Sequence, residues 1–189
     1  MRIEIREMGA ADIDGVARTR IEGWRHAYRG LMPQEFLDGM RPELFAARLR
    51  AGLPRAADLL HLVAVERDAG VVGWSHSGPY RPDENVDRTD TPGVYLSSWG
   101  ELHALYLRPP FIGHGIGRAL LAASTRWLAE RGHRGMRLWV LRDNVIGRRF
   151  YDRAGLVPDG AERSELVAGT PVDEVRYARA LDAAGAASA

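Results

Sequence analysis

The sequence predicts one mixed α/β domain, of the α+β type, with a sheet flanked by helices. Three observations carry that expectation. Short apolar segments of strand character alternate with segments whose apolar residues recur every three or four positions. One stretch, GELHALYLRPPFIGHGIGRALLAASTRWL from Gly100 to Leu128, passes from strand through a glycine-rich turn into a helix. A second, LWVLRDNVIGRRFYDRAGLVPDG, repeats strand, capped turn and helix. The 189 residues suit a single core, here bounded at residues 1–181. The small-residue tail 182–189 reads as disordered.

In chain order, Arg2 to Arg6 alternates Ile3 and Ile5 with charged neighbours, a half-buried first strand. Ala11-Asp12 opens a helix with Ile13, Ala17, Ile21, Trp24 and Tyr28 on one face, closing near Gly30. Gln34 to Ala51 is helical again, and Gly39 and Pro42 split it in two. His61–Glu66 and Val71–Ser77 are strands joined by the turn Asp68-Ala69-Gly70. Pro79 to Ser97 is polar and long for a connection, with Asp83, Glu84, Asp87 and Asp90. It suits either a lid over a cationic acceptor or a solvated excursion. After the central stretch, Met136–Leu141 is a buried strand, and Asp143 or Asn144 caps a helix that ends at Ala154-Gly155. Val157–Leu166 and Pro171–Leu181 close the chain as a hairpin.

The central stretch has the local order that holds a phosphate. A helix start offers unpaired N–H groups and a partial positive charge, and both favour an anion. Gly113, Gly115 and Gly117 lack a Cβ, so successive N–H groups can curl closely around a diphosphate. A P-loop needs Lys and then Ser or Thr after its last glycine, where Arg118-Ala119 stand. A dinucleotide fingerprint needs Gly or Ala at the position of Arg118. It also needs an acidic residue about 20 positions on; Glu130 falls too early, and Arg134 and Arg137 hold the later positions.

Ile112-Gly113-His114-Gly115-Ile116-Gly117 resembles the acetyl-CoA-binding motif Arg/Gln-x-x-Gly-x-Gly/Ala of the GNAT superfamily of N-acetyltransferases, with Ile112 in place of the usual Arg or Gln. The block around Asn144 and Phe150-Tyr151 resembles the second GNAT motif, and WRHAYRGLMPQEFLDGM resembles the first helices of a GNAT subgroup. The resemblance implies a mostly antiparallel central sheet, with acetyl-CoA as cofactor. It implies backbone pairing of pantetheine with Leu105, Tyr106 and Leu107, which a bulge splays from the neighbouring strand. It further implies pyrophosphate on the N–H groups of Gly113 to Arg118, and a hydrogen bond from Asn144 to pantetheine unless Asn144 is only a helix cap. Tyr151 matches the general acid. Glu101 is the first candidate for base or acceptor anchor, and His103, on the same strand face unless a bulge intervenes, the second. Trp24, Tyr28 and His76 are candidate acceptor contacts or, alternatively, core residues.

The implied reaction is acetyl transfer to a primary amine of a small molecule by direct attack in a ternary complex. Protein N-terminal or lysine acetylation, and a non-catalytic acyl-CoA sensor, stand as alternatives. All 26 cations are arginine against 25 acidic residues, a net charge of +1. That balance argues against electrostatic binding of nucleic acid or membrane. The absence of cysteine excludes disulfides, thiolate metal sites and cysteine nucleophiles, and no metal is expected. Neither a membrane-length apolar run nor a signal-peptide pattern is present, so a cytoplasmic location is expected. A homodimer is the oligomer to expect of such a chain, if it assembles.

Overall fold

Alternating Ile3 and Ile5 make β1 (Ile3–Glu7), the outermost strand of a seven-stranded sheet seen in a computed structural model that describes residues 2–52, 58–87 and 98–181. The expected tail 182–189 and the 88–97 part of the expected lid lie outside the described residues. β2 (Leu60–Glu66) and β3 (Gly70–Pro79) form the expected hairpin, entered through Gly70 at φ +70°, a left-handed value suited to glycine. β4 (Trp99–Leu107), β5 (Gly135–Leu141), β6 (Val157–Val167) and β7 (Thr170–Ala180) complete the order β1-β2-β3-β4-β5-β7-β6. Every pairing is antiparallel except β4 with β5, which the intervening helix makes parallel.

α1 (Ile13–Ala27), α2 (Gln34–Gly39) and α3 (Pro42–Gly52) follow the expected breaks at Gly39 and Pro42. α1 and α3 cover one sheet face through Ile13, Val16, Ala17 and Ala46, packed with Val63, Val71 and Trp74 of the sheet. The α1 stripe lets the helix lie very close to β4. At Gly23 a Cβ would come within 3.0 Å of the Tyr106 Cβ and 3.2 Å of the Leu107 carbonyl oxygen. α4 (Ile116–Glu130) covers the opposite face with Ile116, Leu120, Leu121 and Leu128, all almost fully enclosed. Each such side chain contributes about 1.5–3 kcal/mol by leaving water. α5 (Val145–Arg153) lies on the same side as α4, with Phe150 and Tyr151 packed on the cluster of Leu121, Leu128, Met136 and Leu138.

Where β5 and β7 turn their other face outward, no helix among the described residues covers them. Tyr80 and Asp87 of the chain after β3 close over Arg176 instead. Arg176 is buried and donates to Asp87, to Asp159 at 2.7 Å and to the Tyr80 hydroxyl at 2.7 Å. Asp87, expected from its acidity to suit a cationic acceptor, is thus committed to an internal arginine. Burial acts to raise its pKa, but backbone and side-chain donors, Arg176 among them, hold it below the usual carboxylate value.

Candidate active site

Between β4 and β5 the sheet comes apart. The two strands pair only from Trp99 to Glu101 against Gly135 to Arg137, although β4 runs on to Leu107 and β5 to Leu141. His103 is an extra residue against β3, because His76 pairs with Ala104 and Ser77 with Leu102. Beyond that bulge the far edge of β4 pairs with no strand among the described residues. The Arg108 N–H bonds the Val72 carbonyl at 2.9 Å, so by antiparallel alternation Tyr106 also turns its backbone groups toward β3. Leu105 and Leu107 therefore present theirs to the opening, and Tyr106 offers only its side chain.

The glycine-rich turn stands at the mouth of this opening. Gly113 and Gly115 adopt φ +87° and +81°, where an L side chain is strained. Gly115 is the N-cap of α4. Among the described residues, no N–H from Gly113 through Arg118 is paired within the protein, and a Cβ on Gly113 or Gly115 would project into open space. Gly117 plays a different part. Its Cβ would meet the Phe150 ring at 3.4 Å, so the glycine sets how closely α4 and α5 approach. Ile112 and His114 are exposed beside the turn. The donors form an anion cradle, which fits a diphosphate, and it does not use the side chain at position 112.

Tyr151 reaches the opening from α5. Its ring packs on Phe150 and Tyr177, with centroids 5.1 and 6.2 Å away, and its hydroxyl has no hydrogen-bond partner among the described residues. Burial pushes its pKa well up, and Tyr106 is near enough to add to the effect. Asn144 caps α5: its Oδ1 accepts the Gly147 N–H at 2.9 Å, which leaves the amide Nδ2 as its free donor.

On the α1 side of β4 lie Glu101 and His103, which alternation puts on one face, and Ala104 and Tyr106, which the bulge adds to it. Glu101 is 2% exposed and fully engaged. Its Oε2 accepts the Arg81 N–H at 3.0 Å and Nε at 3.2 Å, and its Oε1 accepts an Arg81 terminal nitrogen at 2.6 Å. His103 Nε2 lies 3.2 Å from the Pro79 carbonyl, which can only accept, so Nε2 carries the hydrogen and Nδ1 holds a lone pair. That Nδ1 is buried and unpartnered, and burial lowers the His103 pKa against the pull of Glu101. His76 stands edge-on to His103 at 4.6 Å and stacks on His61 at 4.2 Å, and Trp74 Nε1 donates to His61 Nδ1 at 3.3 Å. Burial holds His76 down at about 2 and His61 at about 4, so all of this stack is neutral near pH 7. Trp24 and Tyr28 complete the wall. Tyr28 meets Trp24 edge-on at 5.0 Å and shares a 3.2 Å hydrogen bond with the Tyr106 hydroxyl.

The expected residues therefore fall into two groups on either side of one opening. Sequence reasoning missed Arg81, Arg20, His61 and the Tyr106 side chain. Hairpin register would have found His61, which pairs directly with His76. Nothing local marks Arg81 as the partner of Glu101. A cavity of about 260 Å³ lined by Asp12, Gly15, Arg18 and Gly70 lies at the other end of α1. Its carboxylate, Asp12, is already bonded to Arg6, so the cavity gathers no comparable chemistry.

Comparison with known proteins bears on the family and the fold. Residues 21–156 match the acetyltransferase (GNAT) family. The chain belongs to the GNAT acetyltransferase family. As an enzyme, it is an acyltransferase by class. An uncharacterised N-acetyltransferase of Bacillus subtilis is 27% identical over 176 residues, covering 92% of this chain and 90% of that protein. Spermidine N(1)-acetyltransferase of Thermoplasma acidophilum is 24% identical over 171 residues, covering 88% and 96%. The PaiA N-acetyltransferase of that organism, solved with coenzyme A, superimposes with a TM-score of 0.68 at 23% identity, covering 93% and 98%. A phosphinothricin acetyltransferase of Sinorhizobium meliloti, solved with acetyl-CoA, gives 0.68 at 18% identity, covering 100% and 93%. The GNAT domain's seven-stranded, mostly antiparallel sheet is the fold these structures share. Among the described residues, no helix is long and apolar enough to cross a membrane and no side-chain cluster could hold a metal ion.

Proposed function

We propose that this protein transfers the acetyl group of acetyl-CoA to a primary amine of a small molecule, by direct attack within a ternary complex. The observation that carries the reading is the opening between β4 and β5, which has unpaired N–H donors at its mouth and an unpartnered tyrosine hydroxyl inside. The N–H groups of Gly113 to Arg118 would hold the pyrophosphate, and Leu105 and Leu107 would pair with the pantetheine arm as an added strand edge. Asn144 Nδ2 is free to donate to the same arm. Acetyl-CoA supplies an activated thioester carbonyl, and the chain supplies the rest.

A primary ammonium has a pKa of about 10.4, so the acceptor must lose a proton before its nitrogen can form the new C–N bond. His103 Nδ1 is a neutral, buried lone pair and suits that role. Glu101 has both oxygens committed to Arg81. It suits electrostatic support, favouring the imidazolium that forms 3.7 Å away when His103 takes the proton. As the C–S bond breaks, Tyr151 donates to the thiolate, whose conjugate acid has a pKa of about 8.5. The raised Tyr151 pKa keeps that proton in place at neutral pH. Trp24, Tyr28, Tyr106 and His76 would wall the acceptor and exclude water.

The first test is calorimetric titration with acetyl-CoA, against NADPH and GTP controls, followed by CoA release with a panel of amines. Micromolar binding of acetyl-CoA alone, with turnover of some amine, is the expected result. Failure to bind acetyl-CoA would sink the reading. Binding without turnover of any amine would favour a cofactor-sensing module instead.

A further inference from the structure

The charges around the acceptor wall are unusual for a site that takes a cationic substrate. Arg20 lies one helical turn before Trp24 on α1, and its guanidinium rests on the rings of Trp24 and Phe45 at 4.6 and 4.4 Å. It is half-buried, and among the described residues it pairs with no carboxylate. Desolvation disfavours its charge, Arg48 adds a like charge, and the nearby Tyr28 and Tyr106 hydroxyls are neutral. A guanidinium cannot shed its proton near neutral pH, so it stays charged with no carboxylate partner among the described residues.

Among the described residues, Glu101, Glu174 and Glu22 have arginine partners of their own. Glu101 is clamped by Arg81, whose own side chain is 63% exposed toward solvent. Glu174 is held by Arg163 at 2.7 Å, and Glu22 by Arg108 at 2.9 Å. His61, His76 and His103 add no charge. Among the described residues, the guanidiniums of Arg20, Arg48 and Arg81 stand against the carboxylate of Glu101, so the balance is positive. A polyamine would bring further cations to a surface whose balance is already positive. An acceptor with its own carboxylate would supply a counter-ion, in the bidentate geometry a guanidinium favours.

Resting on the acetyl-transfer reading above, we propose that the acceptor carries a carboxylate as well as its amine, and that Arg20 binds this carboxylate while Arg81 cancels Glu101. The substrate class is that of amino acids or short peptides acetylated on their amine, and Arg20 sets specificity without touching the reacting atoms. The assignment runs against the spermidine acceptor of one relative.

The experiment uses matched acceptors, each amino acid beside the amine that lacks its carboxylate, with spermidine as a third probe. KM and kcat are measured with acetyl-CoA, and binding by calorimetry in the presence of CoA. A charge-assisted hydrogen-bonded pair predicts a KM about 10-fold to 100-fold lower for the carboxylated member. Arg20→Gln should erase that advantage with kcat nearly unchanged, and Arg20→Lys should restore part of it. Arg81→Gln frees Glu101 and should move preference toward spermidine, a gain that a merely unfolded variant cannot produce. Wild-type preference for spermidine or for the decarboxylated amines overturns the inference but leaves acetyl transfer standing. Binding of the carboxylated amine that Arg20→Gln abolishes, without turnover, keeps the inference and overturns acetyl transfer. Neither binding nor turnover of any probe overturns both.

Discussion

Tyr151→Phe separates chemistry from architecture at one atom. The ring packs on Phe150 and Tyr177 within the cluster of Leu121, Leu128 and Met136, and phenylalanine keeps all of that contact. The hydroxyl has no hydrogen-bond partner among the described residues, so its removal strands no donor or acceptor. Stability should change by less than about 0.5 kcal/mol. At about 2–4 °C per kcal/mol for a chain of this size, Tm should move by under about 2 °C. The rate should behave otherwise. A positioned general acid is worth about 10² to 10⁴ in rate. A thiolate is a tolerable leaving group, so the lower end applies: about 100-fold in kcat, or about 2.7 kcal/mol of barrier. The assay follows CoA release with a thiol reagent at saturating acetyl-CoA, alongside calorimetric affinity and a thermal melt. A kcat within twofold of wild type would falsify the acid role. A fall in Tm of several degrees would instead mean that the hydroxyl supports the fold.

Three further perturbations probe other parts of the molecule. Gly115→Val forces a β-branched residue to φ +81° and sends its side chain into the cradle. It should cost about 1–2 kcal/mol of stability and weaken acetyl-CoA at least tenfold by calorimetry; unchanged affinity removes the turn from the binding site. Asp87→Asn removes the negative charge paired with buried Arg176, leaving that of Asp159, and should destabilise by about 3 kcal/mol in urea titration. A loss below about 0.5 kcal/mol would show that network to be slack. His76 and His61 are held neutral at about 2 and about 4, while unfolded imidazoles protonate near 6.5. The unfolded chain therefore binds more protons between pH 6.5 and about 4, so stability rises with pH across that window and is lost as pH falls. His76 alone should cost about 2 kcal/mol between pH 6.5 and 5. His76→Gln should flatten the Tm profile there, and an unchanged slope would place the titration elsewhere.

Much of this protein was legible in its sequence because the informative signals are local. Chain breaks at Gly39 and Pro42, the Gly70 turn, the cap at Asn144 and the stripe Ile116, Leu120 and Ala123 each depend on neighbours within one or two turns. Backbone sterics and helix periodicity fix such features wherever the chain goes. The cradle at Gly113 to Arg118 belongs with them, since its donors are backbone groups made available by glycine conformation.

Tertiary structure alone decided the rest, because it depends on which distant residues meet. The bulge at His103 arises from register against β3, and it determines that Tyr106 joins Glu101 and His103 on one face. Strand alternation then turns Leu105 and Leu107, but not Tyr106, toward the opening. Pairing of Glu101 with Arg81 and of Asp87 with Arg176 altered what those carboxylates are free to do. Their sequence positions showed only that the charges existed. Arg20 gave no signal as one arginine among 26, until the fold set it on two aromatic rings with no carboxylate partner among the described residues. The sequence carries the charges and the turns, and only packing decides which charges cancel.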